Sequence, residues 1–195
     1  MQLKVNNHAE GSRESIINPT DVEKSVKGEN VSFYGERLEK AKDLADIFEI
    51  VKDAVRARLE TSRGGLMLGL AELGGSPEGW IGGLYPVATN VIVMNKGPMQ
   101  RILEQSPGLY KPYCFHILLH EYIHAIGYMD EALTRRKALE ISEVLFGKGH
   151  LATQMAADIM QFFPALAYPA PMPAPEGMNM ELVKGFDRSS ASYIY

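Results

Sequence analysis

Residues 120–130 read His-Glu-Tyr-Ile-His-Ala-Ile-Gly-Tyr-Met-Asp. On a helix, positions four apart share a face, so the imidazoles of His120 and His124 can converge on one metal ion. Neutral imidazole nitrogens suit Zn²⁺ at roughly 2.0–2.1 Å. Glu121, one residue past the first histidine, can reach a water beside that ion and take its proton as general base. With 5 His in 195 residues, chance supplies this spacing on the order of 0.01 times. Leu118, Leu119, Ile123 and Ile126 bury the same helix, and buried His or Glu is costly unless paired, hydrogen-bonded or on a metal.

Outward from the motif, Pro112 suits the first turn of this helix and Gly127 its end. Asp130 reads as the N-cap of a following helix that reaches Phe146, and a last helix is expected from His150 to Phe163. Upstream, Leu38, Leu44, Ile47, Phe48, Val51, Val55 and Leu59 recur at helical spacing, predicting an amphipathic helix over Glu36–Thr61. Three short strands are expected at Leu66–Leu73, Trp80–Tyr85 and Thr89–Met94, separated by Gly/Pro turns, with a short helix over Pro98–Gln105.

Residues 1–35 are polar and without sustained periodicity, an expected flexible N-terminal arm with a capping box at Thr20-Asp21-Val22-Glu23. Residues 36–163 form the expected single domain, and 164–195, with prolines clustered at 164, 169, 171, 173 and 175, an extended Pro-rich C-terminal tail. That tail, ending in Ser-Ala-Ser-Tyr-Ile-Tyr, is a candidate for lying in the cleft and restraining activity.

A formal net charge of −4 and no basic cluster beyond Arg135, Arg136 and Lys137 argue against nucleic acid as a partner. The single cysteine, Cys114, permits no internal disulfide, and no apolar run resembles a signal peptide or a membrane span, so a cytoplasmic address without membrane contact is expected. Oligomeric state is not readable from these features.

Helix, small sheet, then an HExxH helix resembles the zincin metallopeptidases. The resemblance implies an α+β, zincin-like fold with an N-terminal helix, a small mostly antiparallel sheet, an HExxH active-site helix and C-terminal helices. It further implies Zn²⁺ as cofactor, a peptide or protein as substrate, and Thr89–Met94 as the strand that pairs with extended substrate. Residues 120–130 are similar to the metzincin pattern HExxHxxGxxH, with Asp130 where the last histidine stands, which makes Asp130 the leading third ligand. Asp158–Gln161 is then a possible methionine turn, although Met155 and Met160 also fit a helix interior. Alternatives remain: His150, whose Gly-Lys-Gly lead-in lets it fold back, or, in a minimal gluzincin-like arrangement, Glu131, Glu140 or Glu143. His116, one turn before His120, is too far along the helix to join both histidines on one ion and is expected beside the site. Tyr85, Tyr110, Tyr113, Tyr122 and Tyr128 are candidates for stabilising charge in the reaction. Rival readings are a hydrolase of a non-peptide amide and a non-catalytic or metal-binding protein on a zincin scaffold.

Overall fold

A computed structural model describes residues 33–76, 79–163 and 179–189. The helix expected over 36–61 is two helices, α1 (33–40) and α2 (Leu44–Leu59). They part because Asp43 takes extended backbone and its side chain accepts the Asp46 N–H at 2.8 Å, capping α2. Glu60 ends α2 in the left-handed conformation. Ile47, Phe48, Val51 and Val55 form the buried stripe of α2, at the spacing read from the sequence.

The strands are β1 (Met67–Ala71), β2 (Gly75–Ser76), β3 (Gly79–Trp80), β4 (Gly83–Leu84), β5 (Val91–Asn95) and β6 (Glu181–Leu182). The segment expected as one strand over Trp80–Tyr85 is divided between two sheets, β2-β3 and the four-stranded β4-β5-β1-β6. That larger sheet is mixed. Its longest pairing, β1 with β5, is parallel, and the other two, with β4 and β6, are antiparallel as expected, so the sheet is antiparallel at its edges and parallel at its centre. The physical reason lies in burial: Leu68, Ile92 and Met94 face the main core, while Ala71 and Val93 lie in a second small cluster. A central pair covered on both faces suits parallel pairing, and the chain between β1 and β5 is long enough to cross over and supply β4 on the way.

Helix α3 (Lys96–Gln105) follows β5 directly, capped by Asn95. A 3-10 turn at Pro107–Leu109 leads into α4 (Tyr110–Ala125), the central helix, against which α2, α5 (Glu131–Phe146) and α6 (Leu151–Ala157) pack. Phe48 of α2 meets Tyr122 of α4 edge-on at 5.3 Å, and Phe115 of α4 meets Phe146 of α5 at 4.9 Å. The helix expected to reach Phe163 stops at Ala157, where Asp158 turns extended and caps a short 3-10 turn, Ile159–Gln161.

The C-terminal segment, expected as an extended tail, returns to the domain over residues 179–189. Strand β6 pairs with β1 across Gly69, whose missing side chain leaves the space that Met180 occupies. Phe186 then stacks on Phe48 with ring centroids 4.1 Å apart. Lys52 donates to Asp187 Oδ1, to Ser189 Oγ at 2.6 Å and pairs with Glu49 at 2.8 Å. The capping box at 20–23 and the chain end at 190–195 lie outside the described residues. Among the described residues, no helix is long and apolar enough to cross a membrane.

Candidate metal centre

Helix α4 carries His116, His120, Glu121 and His124 on its last turns. Gly127, at φ +110°, lets the chain reverse after α4 in a conformation few other residues adopt. The reversal brings the Tyr128 carbonyl to 2.7 Å from His124 Nδ1. A carbonyl only accepts, so Nδ1 of His124 carries a proton, and in the neutral ring that leaves the lone pair on Nε2. Thr134, fully buried, donates its hydroxyl to the same carbonyl at 3.0 Å and holds it in place.

Asp130 caps α5, its Oδ1 accepting the Leu133 N–H at 2.7 Å. With the cap made by Asp130, the next residue, Glu131, reaches the histidines. His120 Nε2 and His124 Nε2 are 3.1 Å apart, and Glu131 Oε2 is 3.4 Å from the first and 3.2 Å from the second. The other Glu131 oxygen accepts from Arg135 Nε at 2.8 Å, one helical turn on.

These separations test whether the residues suit a zinc ion. Ligand atoms at roughly 2.05 Å from a tetrahedral ion are about 3.3 Å apart. Two imidazole nitrogens and a carboxylate oxygen spaced at 3.1–3.4 Å match that edge. With the His124 proton committed elsewhere, the cluster is rich in lone pairs and short of protons, so a cation fits it. His120, His124 and Glu131 are the group of possible metal ligands found among the described residues.

The other sequence candidates lie elsewhere. His150 caps α6, accepting the Ala152 N–H at 3.1 Å, and stacks on Phe146. Glu140 is exposed on α5, and Glu143 faces Lys148 at 4.0 Å. Tyr85 and Tyr122 spend their hydroxyls on Arg63 and the Thr89 carbonyl. Arg63, unremarked in the sequence, also donates to the Ala125 carbonyl at 2.8 Å, tying the strand-side loops to the end of α4.

The cleft over this cluster has a volume of about 800 Å³. One wall is the segment 81–85, and strand β4 within it is the edge strand of its sheet. Strand β5, expected to meet substrate, instead has β4 on one side and β1 on the other, so its backbone is already paired. Gly82 and Gly83 let the wall approach α4: a Cβ on Gly82 would meet Ile117 at 2.6 Å, and one on Gly83 would meet Ile117 at 2.8 Å and the Val93 carbonyl at 2.9 Å. That closeness brings the Tyr85 N–H to the Glu121 carboxylate.

Glu121 is only 6% exposed. Burial, with the nearby Glu131 charge, pushes its carboxyl up to about 8, and the Tyr85 N–H works in the opposite direction. Burial also lowers His120 from its ordinary value. His116, beside the site as expected, is pushed down to about 3 by burial, by His120 and by Arg135. Met155 is buried at the cleft and Met160 exposed at it, the latter in the 3-10 turn rather than a helix. Comparison with protein-family models, with curated proteins and with solved structures finds no match to this chain.

Proposed function

We propose that this protein is a zinc-dependent metallopeptidase, with His120, His124 and Glu131 as ligands and Glu121 as general base. The observation that carries the reading is the convergence of two imidazole nitrogens and one carboxylate oxygen at 3.1–3.4 Å, beside a buried carboxylate on the same helix. Zinc, when bound, supplies a Lewis acid that brings the pKa of water down to about 7 and polarises a carbonyl. Glu121 takes the proton of the attacking water and delivers it to the departing amine nitrogen. The Tyr85 N–H holds that carboxylate in its rotamer, and the Tyr128 carbonyl holds His124 in the tautomer a ligand requires. Asp130 acts as the cap that starts α5 with Glu131 aimed at the pair.

An extended peptide suits the cleft better than a small amide does. Strand β4 is an edge strand along the wall among the described residues, the kind of backbone edge to which an extended peptide adds. Ile81, Val87, Met129 and Met160 are large, exposed apolar side chains along the same cleft. Such side chains favour bulky apolar residues beside the cleaved bond. The test is digestion of an unstructured polypeptide by the zinc-loaded protein, with cut sites mapped by mass spectrometry. Cleavage next to apolar residues, abolished by a chelator and restored by zinc, is expected; intact substrate after prolonged incubation with zinc-loaded protein contradicts the reading.

A further inference from the structure

Amide hydrolysis places negative charge on the carbonyl oxygen as water adds to carbon, and a pre-aligned donor at that oxygen lowers the barrier. The cleft contains a histidine that the zinc reading does not use. His116 lies one turn before His120 on the same face of α4, with ring centroids 6.5 Å apart, and lines the cleft. It is 9% exposed, and among the described residues its Nδ1 is buried with no hydrogen-bond partner.

An orphaned buried N–H is rarer and costlier than an orphaned lone pair. The proton of His116 therefore sits on Nε2, leaving the lone pair on Nδ1. An uncharged imidazole is a competent electrophile towards a carbonyl oxygen. Three nearby donors are already engaged: the Tyr85 and Tyr122 hydroxyls bond Arg63, and Arg135 Nε bonds Glu131. The surrounding residues of α4, Phe115, Ile117, Leu118 and Leu119, are all apolar and buried, so packing alone would be served by a phenylalanine.

We infer that His116 is a further catalytic residue, its Nε2–H donating a hydrogen bond to the substrate carbonyl oxygen as that oxygen gains charge. The inference rests on the zinc peptidase reading. In the step it serves, the water oxygen bonds to the carbonyl carbon and the π pair moves onto the oxygen facing His116. The pair returns as the carbon–nitrogen bond breaks, and the amine leaves with the proton carried by Glu121.

The experiment compares full-length wild type, His116→Phe and His116→Gln, each zinc-loaded. Zinc content, kcat and KM on a peptide, and binding of inorganic phosphate by calorimetry are measured. Phosphate serves as a small oxyanion probe that needs no turnover. All three proteins are expected to hold zinc. His116→Phe loses kcat by about 10²–10³-fold with little change in KM, and His116→Gln, whose amide N–H reaches a similar position, recovers at least about tenfold of that loss. Phosphate binds wild type at least about tenfold more tightly than His116→Phe. Unchanged kcat, a loss confined to KM, no recovery in His116→Gln, or equal phosphate affinity with zinc retained overturns this inference alone. Zinc lost from both variants overturns it in favour of a role in holding the metal. Wild type that takes up no zinc overturns the zinc reading and this inference with it.

Discussion

Two polar clusters are built on neighbouring helices, one around Lys52 of α2 and one around His120 and His124 of α4, and they are completed in opposite ways. The Lys52 ammonium has three donors, and Asp187, Ser189 and Glu49 supply an acceptor for each. The second oxygen of Asp187 takes the Leu66 N–H at 3.0 Å. Every donor of the ammonium has its acceptor within the chain. In the α4 cluster, two imidazole nitrogens and one carboxylate oxygen face one another, a second carboxylate, Glu121, is buried beside them, and the His116 Nδ1 is unpartnered among the described residues. The closed cluster fastens the C-terminal segment to the core; the open one has the donor set that the proposed metal ion would complete. Burial alone does not separate the two cases, since both contain buried charged groups. Counting donors against acceptors does.

The largest expected effect is on the open cluster. Glu121→Gln removes the base and keeps its shape, so turnover falls by about 10²–10⁴-fold while zinc content is unchanged. Peptide hydrolysis beside elemental analysis reads both. Zinc-loaded Glu121→Gln with wild-type turnover would remove Glu121 from the chemistry.

The closed cluster is broken next. Lys52→Met leaves Asp187 as an uncompensated buried charge and costs about 3–5 kcal/mol in urea unfolding, while Lys52→Met with Asp187→Asn recovers at least half of that. A single variant as stable as wild type would mean that the C-terminal segment is not fastened by this pair.

Within the open cluster, neighbouring acids are expected to separate by role. Glu131→Ala weakens zinc binding by at least about 100-fold. Asp130→Ala costs about 1 kcal/mol of stability through the lost cap and leaves zinc affinity within about threefold. Zinc titration and thermal unfolding of the two variants decide it, and the reversed pattern would return the ligand role to Asp130.

The smallest effect lies at the start of α2. The Asp46 N–H, with Arg188, holds the Asp43 carboxyl below its usual range against the effect of burial. A depressed folded value means stability present above the unfolded pKa, near 3.8, and lost as the pH falls through the folded value. Asp43→Asn should flatten the acid limb of stability below about pH 4 and leave it unaltered near neutrality. An acid limb identical to wild type would show that this cap carries no pH dependence.

The features legible in the sequence are those set by local geometry. The His120–His124 spacing, the Gly127 reversal and the Asp130 cap each depend on a few consecutive residues, and they stand where they were expected. Glu131 was one of several open alternatives because Asp130 and Glu131 offer the same chemistry one position apart. A carboxylate that caps its own helix is spent on the backbone, which leaves the next acid free, and the Arg135 partner one turn on was the available signal. The parallel β1-β5 pairing was not legible, because pairing depends on which distant segment covers each face. Nor was the return of the C-terminal segment: the proline cluster masks it, and its anchors, Phe186 and Asp187, find partners more than a hundred residues away. Lys52 lies on the amphipathic helix, and its partner Asp187 stands 135 residues on, beyond the reach of any local pattern.

Zinc stoichiometry tests most directly whether His120, His124 and Glu131 hold a metal ion. Purified protein reconstituted with zinc and freed of excess is measured beside His120→Ala by elemental analysis. Close to one zinc per chain in wild type and none in the variant is the predicted result. Wild type that retains no zinc, or a variant that retains as much as wild type, would contradict it.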